Sequence, residues 1–186
     1  MGATLENSLM ADNACQGPSF SRQEDLFMEG KVEWRVIDGK TGQTKIDPLT
    51  GKKMEGETHN IITNAGKAAV AKLTGSGLGG TAFLAQAIGT SATAPAATDT
   101  TLTAEITTNG GARGASDTIT QVTTTVTNDT TQFVKTWTFI GGFTVQETGI
   151  LNNSSSGGDL LAHALIGPTT VVSGDSLQVT HKVKQG

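Results

Sequence analysis

The chain has 186 residues, enough for one domain with an extension or for two small domains. Only 16% of residues are charged and 4% are aromatic, Thr is abundant and there are 24 Gly, which favours strands and turns over helices. A net charge of −4, with no basic cluster beyond Lys52-Lys53, argues against a nucleic-acid partner.

Cys15 is the single cysteine, so neither an internal disulfide nor a cysteine metal site is expected. No apolar run approaches the ~18 residues of a membrane span. The N-terminus lacks the basic start and apolar core of a signal peptide, so the chain is expected to stay in a cytoplasm or in a particle assembled there. Charge is unevenly placed: residues 1–60 hold 17 of the 30 charged side chains. The charge-poor remainder fits either a polar, uncharged β surface or a surface covered by neighbouring subunits.

Residues 1–29 carry no steady hydrophobic period and form a separate unit, an N-terminal arm, ahead of a body over residues 30–186. Ser21-x-x-Glu24 is a capping-box pattern for one or two helical turns. The arm is either a solvated tail or a segment that orders on a partner, with Phe20, Leu26, Phe27 and Met28 as anchors.

Lys31 to Asp38 alternates, with Val32, Trp34 and Val36 on one face and Lys31, Glu33 and Arg35 on the other, the pattern of a half-buried strand. Two turns follow, at Asp38–Gly42 and Asp47–Gly51, around a short strand at Thr44–Ile46. A short helix is predicted near residues 64–73, capped by Thr63 or Asn64, with Ile62, Gly66, Val70 and Leu73 on one narrow face. Its small residues require it to lie close against a sheet. Gly75–Gly80 is a turn, and Phe83–Ile88 is a strand.

Further strands are predicted at Thr118–Thr127, Gln132–Ile140, Phe143–Leu151 and Leu160–Ile166. Pro168 is expected to break the chain before Thr169–Val172 resumes, and Leu177–Val183 alternates again. Gln132–Ile140 carries Phe133, Trp137 and Phe139 on one side and Val134 and Ile140 on the other, which predicts a central strand. Six to eight short strands with one early helix specify a mainly β fold, a β-sandwich whose core centres on Trp34, Phe133, Trp137 and Phe139.

Motifs with catalytic associations lack their structural context. Gly174-Asp175-Ser176-Leu177 matches the nucleophile block of one esterase family, but it turns into an alternating strand and only ten residues follow Ser176. Gly75-Ser76-Gly77-Leu78-Gly79-Gly80 follows a helix instead of a strand, unlike a dinucleotide loop. His59, His163 and His181 are scattered without ligand spacing, so no metal and no cofactor are expected. Glu105 and Glu147 could pair for acid–base work, but such residues more often satisfy loop amides or meet a cation such as Arg113.

Five short signatures occur in one order: Asn60-Ile61-Ile62-Thr63-Asn64-Ala65-Gly66, Ala87-Ile88-Gly89-Thr90, Asp99-Thr100-Thr101-Leu102 with Glu105, Gln146 to Asn152, and Gly158-Asp159-Leu160-Leu161-Ala162. In this respect the chain from Asn60 to the C-terminus resembles small virion structural proteins of tailed bacteriophages. Ser91 departs from the pattern, which often has Gly there. The resemblance implies a non-enzymatic virion protein assembled in the host cytoplasm, foremost a capsid decoration (cement) protein. Its partners would be itself, as a trimer, and the major capsid protein, without nucleic acid or membrane. A collar, fibre-base or tail-tip subunit is the structural alternative. A host-surface carbohydrate-binding module is the alternative of another class, disfavoured because Tyr is absent and the Phe and Trp residues fall mostly at core positions.

Overall fold

The computed structural model describes residues 28–186, and the arm anchors Phe20, Leu26 and Phe27 lie outside the described residues. Ten strands and one helix are present among the described residues. They form two five-stranded antiparallel sheets that pack as a sandwich.

The first sheet has the order β2-β1-β10-β7-β6. Its strands are β1 (Met28–Ile37), β2 (Glu55–His59), β6 (Thr118–Val122), β7 (Thr130–Thr138) and β10 (Ser176–Gln185). The second has the order β3-β9-β8-β4-β5, from β3 (Ile61–Ile62), β4 (Ala85–Gly89), β5 (Gly114–Ala115), β8 (Phe143–Leu151) and β9 (Leu160–Val171). Helix α1 (Asn64–Thr74) follows β3.

The period-two patterns decide which side chains enter the core. Val32 and Val36 of β1 meet Leu177 and Val179 of β10 and Trp137 of β7, and across the interface lie Ile88, Val145, Ala164, Ile166 and Val171. Phe139 is buried in the same cluster, and Trp34 packs against it half-buried. Phe133 belongs to a second cluster with Ile62, Ala69, Ile150 and Val183. The outward residues of β1 behave as solvated polar groups: Lys31 pairs with Glu33 and Glu57, and Glu33 with Lys182.

Helix α1 is capped by Thr63, whose hydroxyl accepts from the Gly66 amide at 2.9 Å and donates to the Leu160 carbonyl. Gly66 explains how close the helix lies: a Cβ there would stand 2.6 Å from Leu161 Cα. Leu73, predicted on the same face, is 45% exposed.

Four local expectations are corrected. Met28 and Glu29 belong to β1, paired with Gln185 and Lys184, and not to the arm. β7 is next to the edge of its sheet, and Ile140 is exposed, because pairing stops at Thr138 and the Ile140 amide bonds the Asn109 carbonyl in a turn. β6 ends at Val122, after which Asp129 accepts the amides of Thr124, Thr125 and Val126 and holds a compact turn. β9 runs through Pro168 without a break. The register passes from Val145↔Thr169 to Glu147↔Leu165, so Ile166, Gly167 and Pro168 leave the ladder, Ile166 staying in the core and Gly167 and Pro168 lying exposed where no ladder amide is needed.

A clamped third layer on the second sheet

The outer face of the second sheet is roofed by the segment that follows β4. Leu102 of that segment packs on Ala87, Leu151 and Leu160. With the first sheet on one side and the roof on the other, β8 is buried on both faces from Glu147 to Leu151 apart from Gln146 before it.

Polar groups pin the roof. Glu147 projects from β8 and accepts the amides of Thr103 at 3.0 Å and Ala104 at 2.7 Å. His163 projects from the neighbouring β9, in register with Gly149. Its Nε2 lies 2.9 Å from Glu147 and its Nδ1 2.7 Å from Asp99 of the roof. Asp99 also accepts the Ala96 amide at 2.8 Å. Gly89 allows this close packing, because a Cβ there would overlap Glu147 Cγ at 2.7 Å.

Both ring nitrogens of His163 face carboxylate oxygens, which only accept, so the ring is an imidazolium with two donors. Burial pushes its pKa down, but the hydrogen bonds and charges of Glu147 and Asp99 outweigh it and the net direction is upward. For Glu147, burial pushes upward and is outweighed by His163 and the two amides, so the net is downward. Asp99 is lowered in the same way, burial being outweighed by the Ala96 amide and His163. The cluster therefore holds one cation between two anions, with loop amides taking up the remaining negative charge.

A second clamp lies beside it. Arg113 bonds both Glu105 oxygens and the Gly157 carbonyl, tying the roof to the β8–β9 loop. Trp137 Nε1 donates to the Ala112 carbonyl at 2.9 Å and fixes the same stretch from the core side.

His181 takes the opposite role between the sheets. Thr148 gives its hydroxyl proton to the Ala87 carbonyl, so His181 Nε2 must carry the proton shared with Thr148 Oγ1 at 3.1 Å. Its Nδ1 is buried without a partner. Burial holds the ring neutral, with a pKa pushed down to about 3.

Ser176 of the esterase-like block and the nearby His181 lie on opposite faces of β10. Ser176 bonds Thr138 Oγ1 on the outer face of the first sheet, whereas His181 points into the interior. Gly75–Gly80 is the turn after α1, with Gly77 and Gly79 at positive φ. The described aromatic side chains Trp34, Phe83, Phe133, Trp137, Phe139 and Phe143 are all buried or half-buried. No described helix is long and apolar enough to cross a membrane.

The sequence left open whether Glu105 and Glu147 meet loop amides or a cation such as Arg113; Glu147 takes the amides and Glu105 takes Arg113, while His163 at the centre of the clamp was not foreseen. The one available signal was its position immediately after the Gly158–Ala162 signature.

No known protein family matches the chain, and neither does any curated protein or solved structure.

Proposed function

We propose that this chain is a non-enzymatic structural subunit of a tailed-phage particle, foremost a capsid decoration protein acting as an oligomer. A collar or tail position is the structural alternative within the same reading.

The observation that carries it is the convergence of the five signatures. They are distant in sequence, yet each touches another in the second sheet. Thr63 meets Leu160, Asn64 bonds the Ala97 carbonyl beside the third signature, Gly89 packs on Glu147, and Glu147 holds Thr103 and Ala104. The residues on which the resemblance rests thus make one hydrogen-bonded unit, as inherited structural signatures would, and their buried ionisable groups are engaged in holding a scaffold. The uncharged edge strand β6, Thr-Ile-Thr-Gln-Val, fits a surface that meets other subunits.

The arm supplies the test. With Met28 part of β1, the detachable segment is residues 1–27. Removing it should leave the far-ultraviolet spectrum of the body unchanged and weaken attachment to particles at least tenfold, about 1.4 kcal/mol. Co-sedimentation with particles lacking the protein measures this. Equal binding of both chains would mean that the arm plays no part in attachment. Failure of the full chain to bind any particle would contradict the virion reading itself.

A further inference from the structure

At the end of the sandwich where β1 begins, the two sheets do not close. Met28, Phe133 and Val183 of the first sheet face Val70, Leu73 and Phe83 across a mainly apolar groove of about 290 Å³. Leu73 is 45% exposed there, beside a buried cluster that includes Phe83, Phe133 and Val183. An apolar groove of this kind marks a contact site.

The chain itself indicates what makes that contact. Residues 1–27 join the body at Met28, and the Met28 side chain is part of the groove wall. A chain advances roughly 3.3 Å per residue, so Leu26 and Phe27, two residues and one residue before Met28, are within reach of that wall. Leu26 also shares the parity of Met28, Val32 and Val36, the face of β1 that turns inward. A segment from elsewhere would have to compete with two side chains tethered directly to the groove wall and so present at a large effective concentration.

We propose that the groove is the seat of the chain's own Leu26 and Phe27. The arm is then rooted on its own body, and only the segment upstream, with Phe20, remains to reach a neighbour. This rests on the geometry of the body and stands whether or not the subunit belongs to a virion.

Disulfide trapping in the full chain decides it. In a Cys15→Ser background, Leu73→Cys is combined with Leu26→Cys or with Phe27→Cys. The control partner is Leu49→Cys, 93% exposed in the loop beyond the far end of β1 and therefore about 30 Å from Met28. A disulfide requires Cα atoms within roughly 7 Å. On mild oxidation, at least one Leu73→Cys pair should give a reducible intramolecular link, and the Leu49→Cys pairs should give none. A linked dimer through Leu73→Cys would overturn the proposal and give the groove to a second copy. No link at all, or equal linking to Leu49→Cys, would overturn docking altogether.

Discussion

His163→Leu should cost the fold about 3–5 kcal/mol, the range for removing one partner of a buried ion pair. The substitution leaves Glu147 fully buried and Asp99 beside it, both carboxylates with their shared cation gone. The loss should fall first on the roof, since Asp99, Thr103 and Ala104 are held through this cluster. Adding Glu147→Gln to His163→Leu should recover part of the loss, because the uncompensated charge is then absent. Urea unfolding measures both, and a loss below about 1 kcal/mol for His163→Leu would show that the cluster is not the fastening described here.

The same cluster sets a pH dependence whose sign follows from the directions of the shifts. His163 is raised in the folded state, so its contribution is complete below its ordinary value of 6.5 and is lost as pH rises through the folded value. His181 is depressed to about 3, so its contribution is complete above 6.5 and is lost as pH falls. Asp99 and Glu147 are also lowered and add to the acid-side loss, below the ordinary carboxylate range. Stability should therefore peak near pH 6.5 and fall on both sides, by up to about 1.4 kcal/mol per pH unit for each titrating group. In His163→Leu the alkaline fall should flatten while the acid fall from His181 persists.

Trp137→Ala should cost about 3–5 kcal/mol. The indole is 3% exposed, sits in the cluster joining both sheets, and donates to the Ala112 carbonyl, which the truncation leaves without that donor. Ile140, three residues on, is 73% exposed, and Ile140→Ala should stay within about 0.5 kcal/mol. Equal effects at the two positions would mean that the inward and outward faces at this end of β7 are misassigned.

The sandwich was legible wherever burial follows local period. Val32, Trp34 and Val36, and Leu177, Val179 and Val183, alternate plainly because one face of each strand is solvated. The cap at Thr63 and the close helix implied by Gly66 are equally local. Ile140 misled because alternation was extended two residues past the end of pairing at Thr138. Pro168 misled because a bulge tolerates the missing amide that an uninterrupted ladder would not. The clamp was the least legible part. His163 lies 64 residues from Asp99 and 16 from Glu147, so only the pairing of β9 with β8 and the roof folding over them brings the three together. No local spacing encodes that pairing.

The proposed role makes this scaffold a component of a phage particle. Electron microscopy of purified particles from the host carrying this gene, labelled with an antibody to the body at residues 28–186, tests it most directly. A capsid decoration protein should give label distributed over the head surface in regular array. Label confined to the collar or tail would keep the virion reading and move the subunit. Intact particles without label, with the protein recovered free in the same lysate, would contradict it.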